Sequence, residues 1–200
     1  MEQVRSFIAI ELPEEIKKGI RELQAQLKAG SRAPVKWVDP THIHLTLKFL
    51  GNVAADRMEE ITAAMTQAVQ GTSYFSLEVR ELGVFPNPGR VQIVWVGVSG
   101  EVAKLARLQQ RIESGLEGLG FPPEGRRFTP HLTLARVRDQ ATPDERARLG
   151  QLIADTEFEA ARSFMVEAVN LMKSQLTREG PIYTRISSAA LDQPLPTAKA

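Results

Sequence analysis

One four-residue unit occurs twice: His44-Leu45-Thr46-Leu47 and His131-Leu132-Thr133-Leu134. An imidazole titrates near neutral pH, so one ring can be a neutral base while another is a charged acid. A hydroxyl two residues further on can donate a hydrogen bond to an oxygen of a bound group. Duplication supplies two acid–base groups and two donors around one centre. That set suits a phosphodiester, with two non-bridging oxygens to hold, one nucleophile to deprotonate and one leaving oxygen to protonate. Such chemistry requires neither a metal nor a covalent intermediate. The chain has three histidines, and two of them stand in these units.

Strands are the elements that would position them. Residues 43–51 and 128–136 alternate, and successive side chains of a strand point to opposite faces. His44 and Thr46 then share one face while Leu45 and Leu47 share the other. The same holds for His131 and Thr133 against Leu132 and Leu134. Each strand is expected to bury its leucines and present an imidazole and a hydroxyl to a cleft.

Other residues near the motifs admit more than one use. His42 and His44 on one strand face would make a chelating pair for a metal-dependent hydrolase, although ligand carboxylates are scarce nearby. Arg136 is a fixed cation fit for a phosphate, but strict alternation turns it away from His131. Arg126, Arg127, Arg138 and Lys48, the last read on the face of His44, form a local basic zone suited to a nucleic-acid backbone. Phe49, Phe85 and Trp95 could stack a base; core packing is the expectation for each.

Around these strands the pattern alternates β and α. Residues 5–12 are a short apolar run expected as a buried strand. Ile16, Ile20, Leu23 and Leu27 recur at helical spacing after Pro13, predicting a helix over 14–29. Residues 36–39 read as a short strand, 55–69 as a second helix, and 74–98 as a hairpin turning at 86–89. A third helix is expected over 101–119. Thr142-Pro143-Asp144-Glu145 has the form of a helix start, with the helix running to Ile153. Strands are expected over 164–171 and 181–187, joined by a polar link. Residues 5–98 and 99–187 thus read as two similar halves. The expected fold is α+β and bilobal, each lobe an antiparallel sheet flanked by helices and carrying one motif, with the cleft between them. Residues 1–190 would form this single domain, and 191–200 a loosely ordered tail.

The composition is that of an ordinary globular protein, 42% hydrophobic and 24% charged. A net charge of +1 argues against general nucleic-acid binding, so any RNA contact must be local. The absence of cysteine excludes disulfides, thiolate metal sites and cysteine nucleophiles. No stretch reaches the ~20 apolar residues of a membrane helix, and the expected location is the cytoplasm.

The paired His-x-Thr-x units resemble the two-histidine phosphoesterase superfamily. The opening Arg5-Ser6-Phe7-Ile8-Ala9-Ile10, the stretches His42–Gly51 and Phe128–Arg136, and the late Ser174-x-Leu176 and Gly180-Pro181-x-Tyr183 are similar to LigT-like RNA 2′,3′-cyclic phosphodiesterases. The resemblance implies metal-independent hydrolysis of RNA 2′,3′-cyclic phosphate ends to 2′-phosphomonoesters, without cofactor, and extends to the reverse type of reaction, 2′–5′ RNA joining. By the same resemblance His44 matches the proton donor and His131 the proton acceptor. Thr46 and Thr133 match phosphate-holding hydroxyls, and Arg136 an arginine near the phosphate. The implied partners are RNA ends, tRNA fragments among them, or small cyclic nucleotides, met by a monomer. A non-catalytic RNA-end binding module and the His42–His44 metallohydrolase are the alternatives.

Overall fold

In the computed structural model, which describes residues 2–158, 162–177 and 180–193, the opening apolar run is β1 (Gln3–Glu11). Its even positions Val4, Ile8 and Ile10 are buried, the last two in the main core, while Phe7 and Ala9 are buried on the other face. A strand covered on both faces reads as a continuous apolar run. Pro13 precedes α1 (Glu14–Gly30), with Glu14 and Glu15 in the first turn, where the helix dipole favours negative charge.

The remaining elements are β2 (Val35–Trp37), β3 (His44–Ala54), α2 (Met58–Val69), β4 (Phe75–Phe85), β5 (Ile93–Gly100), α3 (Val102–Glu117), β6 (His131–Val137), α4 (Pro143–Asp155), β7 (Arg162–Val166), β8 (Ala168–Leu176) and β9 (Pro181–Ala190). Thr142 caps α4 in a reciprocal capping box with Glu145. Two antiparallel sheets result, ordered β3-β1-β8-β9 and β2-β6-β5-β4-β7. Helices α2 and α3 pack together behind the first sheet, and α4 packs on β4 of the second. One continuous apolar core joins both sheets and all four helices. The fold is α+β and bilobal, with one motif per sheet.

The lobes are not the two halves of the sequence. The first sheet takes β1 and β3 from the start of the chain and β8 and β9 from its end. The run over 164–171 is two strands, not one. It breaks at Glu167, where the chain leaves β4 of one sheet and joins β1 of the other. The expected polar link after Leu171 is largely strand as well, since β8 pairs with β9 as far as Leu176. A buried Ser174 and an exposed Leu176 at that hairpin end hide the alternation. Leu191 is buried, and Asp192 accepts from the Gly71 N–H through its carboxylate and from the Tyr74 N–H through its carbonyl. The chain is therefore pinned through Asp192; the rest of the expected tail, 194–200, lies outside the described residues. Among the described residues no helix is long and apolar enough to cross a membrane.

Candidate active site

The motifs sit on β3 and β6 with the expected alternation. Leu45, Leu47, Leu132 and Leu134 are buried in the core, while His44, Thr46, His131 and Thr133 are half-buried on the opposite face. Burying each leucine is worth about 1.5–3 kcal/mol. A one-residue slip would turn all of them outward, so the register of both strands is firmly set.

One irregularity of that register is repeated in both strands. On β3, Thr46 lies opposite Ala9 and Lys48 opposite Ile8, leaving Leu47 as an extra residue. On β6, Thr133 lies opposite Trp95 and Ala135 opposite Val94, leaving Leu134 extra. An extra residue reverses the facing of everything beyond it. Ala135 therefore turns to the core and Arg136 to the face of His131 and Thr133, opposite Ile93. Arg136 thus joins the site that strict alternation denied it.

The same shift removes Lys48. It lies on the core side, 2% exposed, paired with Glu113 of α3 and donating to the Pro122 carbonyl at 2.9 Å. The basic zone read from the sequence loses this member. Phe49 moves the other way, against Phe7 and 61% exposed. Phe85 and Trp95 also lie outside the main buried core, around His131, with Phe85 edge-on to its ring at 5.2 Å. Gly83 makes room for the indole: a Cβ there would come within 2.1 Å of it. None of the three aromatics meets the core-packing expectation, because each falls on the motif face of its sheet.

Both imidazoles are oriented alike. His44 Nδ1 lies 2.8 Å from the His42 carbonyl, and His131 Nδ1 lies 2.7 Å from the Thr129 carbonyl. A carbonyl only accepts, so each Nδ1 carries the proton and donates. Each neutral ring then has its free lone pair on Nε2. Nε2 is the atom left to take up or release a proton on either strand.

The surroundings of the two rings differ. Phe7 stacks on His44 at 4.6 Å and Tyr183 meets it edge-on at 5.1 Å. Burial pushes the His44 pKa below the ordinary histidine value. The Nδ1–H bond to His42 and the Glu11 carboxylate act upward, and His42 acts downward. Glu11 lies opposite His44 in the β1–β3 ladder and is held by Asn170 at 2.8 Å and by Arg185. Burial also raises the Tyr183 hydroxyl, while Arg136 and Arg5 pull it down. Tyr183 belongs to the first sheet and Arg136 to the second. Strands β3 and β6 are themselves in contact. The two motif faces therefore border one space.

His42 ends a 3₁₀ turn, Pro40–His42, and does not open the strand; its ring is edge-on to Tyr183 at 5.4 Å. Among the described residues no three His, Cys, Asp or Glu side chains gather as a metal cluster would. The roles of Phe7, Tyr183 and Glu11 beside His44 are not readable from the sequence, because what brings them there is strand pairing between distant segments.

The sequence pattern of the 2′-5′ RNA ligase superfamily matches residues 7–178. The chain belongs to this superfamily. Superfamily relatives named RNA 2′,3′-cyclic phosphodiesterase include one from Methanothermobacter thermautotrophicus, 36% identical over 182 residues, covering 91% of this chain and 96% of the relative. Another, from Aeropyrum pernix, is 36% identical over 157 residues, covering 78% and 85%. Escherichia coli LigT, solved with 3′-AMP, superposes with a TM-score of 0.75 at 27% identity over 96% of this chain and all of LigT. Both motifs and Arg136 lie inside the superfamily match, whereas Tyr183 lies beyond it.

Proposed function

We infer that the protein hydrolyses RNA 2′,3′-cyclic phosphodiester ends to 2′-phosphomonoesters. The observation that carries this reading is the matched pair of imidazoles, each with Nδ1 occupied by a carbonyl and Nε2 free. The names of the relatives support the substrate class.

In the proposed reaction His131 Nε2 takes a proton from water, and the resulting hydroxide attacks phosphorus. The bond from phosphorus to O3′ breaks. His44 Nε2–H gives its proton to the departing O3′, leaving a 3′-hydroxyl and a 2′-phosphomonoester. Thr46, Thr133 and Arg136 donate to the non-bridging oxygens, where charge-assisted bonds from a guanidinium are the stronger kind. His44 must be charged to serve as donor. Burial opposes that charge, and Glu11 together with the bound phosphate anion favours it. With a 5′-hydroxyl in place of water, the same step joins the cyclic-phosphate end to the 5′ end through a 2′–5′ phosphodiester as O3′ departs, and run backwards the two rings exchange roles. Both motifs come from one chain, which supports action as a monomer. The substrates proposed are RNA 3′ ends, tRNA halves among them, met in the cytoplasm.

An oligonucleotide ending in a 2′,3′-cyclic phosphate tests this. The expected product carries a 2′-phosphate, turnover survives a chelator, and His44→Ala and His131→Ala each lose at least ~10²-fold. Undiminished turnover in either variant overturns the two-histidine mechanism. Loss with chelator moves the reaction to a metal held by His42 and His44, and binding without turnover makes the protein a capture module.

A further inference from the structure

The extra residues Leu47 and Leu134 decide which side chains face the site beyond each motif, so whatever holds them decides the composition of the site. Each carbonyl at these positions accepts from a buried glutamine on a helix, that of Leu134 also from the Val38 N–H at 2.9 Å. Gln24 of α1 donates through Nε2 to the Leu134 carbonyl at 3.1 Å and to the Val38 carbonyl at 2.8 Å. Gln109 of α3 donates through Nε2 to the Leu47 carbonyl at 3.4 Å and to Glu113 at 3.0 Å. The two side chains are 1% and 7% exposed.

Neither glutamine is explained by the core. Gln24 lies in a stripe with Ile20, Leu23 and Leu27, and Gln109 beside Leu105, Leu108 and Ile112. A leucine or methionine there would bury apolar surface without desolvating an amide, which is costly unless the amide is bonded. Both amide hydrogens of each glutamine are used, and one of each pair goes to the carbonyl of the extra residue.

The second bond of each glutamine leads towards the opposite motif. Val38 precedes the Pro40–His42 turn, whose last carbonyl holds His44 Nδ1. Glu113 pairs with Lys48, which holds Pro122 at the root of the loop that delivers His131. Each glutamine thus ties the irregularity in one motif strand to the lead-in of the other.

We propose that Gln24 and Gln109 are positioning residues that fix the two one-residue register shifts, Gln24 thereby aiming Arg136 into the site and Gln109 aiming Phe49. The catalytic arm of the test rests on the function proposed above; the register arm does not. Gln24→Met keeps the shape and removes both donors. It is expected to lower kcat/KM by ~10–10²-fold, the scale of a misplacement of about 1 Å. In an Arg136→Ala background the same change should cost several-fold less than in the wild type, the remainder being what passes through Val38 to the turn that holds His44. Gln109→Met should keep its cost in Arg136→Ala and show less of it in Phe49→Ala. General loosening of the fold would give additive losses in every background, and additivity overturns the proposal. If Gln24→Met does not fold, Gln24→Asn carries the same cycle, keeping the amide one methylene short of Leu134. A crystal structure of the folded Gln24 variant reads the register directly. Arg136 still opposite Ile93, undisturbed, overturns the proposal whatever the activity, and a shifted or mobile Arg136 supports it.

Discussion

Strands β3 and β6 agree position by position from the histidine to the fifth residue beyond it: half-buried, buried, half-buried, buried, buried, exposed. They share the Nδ1 bond to the carbonyl two residues back, the extra leucine and the glutamine that grips it. They differ in what surrounds the ring and in what the extra residue turns outward. His44 is stacked on Phe7 and lies opposite Glu11, whereas among the described residues His131 has only edge or tilted ring contacts, with Phe85 and Trp95. The fifth residue is Phe49 on one strand and Arg136 on the other. The lesson is a division of labour. The repeated motif supplies two imidazoles oriented alike, and the neighbouring strands make them unequal, one enclosed by aromatic rings and one on a face shared with a fixed cation.

The strongest way to break this comparison is to remove each ring in turn. If the strands contribute equally, His44→Ala and His131→Ala each lose ~10²–10⁴-fold in kcat/KM on a cyclic-phosphate dinucleotide. A loss confined to one variant would make the resemblance of the strands a matter of folding alone.

The second test uses the residue where the strands differ most inside the core. Lys48 is buried against Glu113, whereas its counterpart Ala135 carries no charge. Lys48→Met strands a carboxylate and should destabilise by about 3–5 kcal/mol in urea unfolding, with Lys48→Met/Glu113→Leu recovering most of it. A single variant as stable as the wild type would refute the inward facing of Lys48.

Arg136→Ala and Phe49→Ala test the outward difference. The arginine variant should lose ~10–10²-fold in kcat/KM, while Phe49→Ala leaves stability within about 0.5 kcal/mol because its side chain is largely exposed. Equal catalytic losses would mean that the two outward positions are not distinguished by charge.

The smallest effects are in pH. Burial lowers the His44 pKa in the free protein, so as the proton donor it should lose its proton below about pH 6.5. The alkaline limb of kcat/KM is then expected under that value, with the limb of kcat displaced upward by the bound anion. An alkaline limb of kcat/KM above it argues for the opposite assignment of donor and acceptor. The unfolded chain binds this proton more readily than the folded one, so stability rises with pH through this range. The contribution is in place above about 6.5 and is lost as pH falls through the lowered folded value. Melting temperatures at about pH 5 and 7.5 should differ less in His44→Gln than in the wild type.

Much of this site is legible in the chain alone, for a definite reason. Alternation is local, so the facing of His44, Thr46, His131, Thr133 and the four leucines comes from the residues themselves. Helix α1 is legible for the same reason, through the period of Ile16, Ile20, Leu23 and Leu27. The extra leucines are not, because a register shift is a count of two strands against each other, and β1 and β5 are remote in sequence from the strands they meet there. That one uncounted residue reverses the facing of both Lys48 and Arg136. Tyr183 reaches His44 through pairings across most of the chain and Phe7 through the pairing of β1 with β3, and the break at Glu167 separates strands that look continuous until their partners are known. The interleaving of the lobes is hidden by the same cause.

That interleaving has a consequence during synthesis. The strand carrying His44 pairs with β1, but the sheet that encloses the ring is completed by β8 and β9, which are synthesised after every strand of the second sheet. Phe7 and Ala9 find their cover, Met172 and Tyr183, only then. Nascent chains fold as units become available. Here the second sheet can close first, with His131 in place, while the partner histidine waits on an unfinished surface. The His131 side of the site would assemble before β8 and β9 are made, and the His44 side after them.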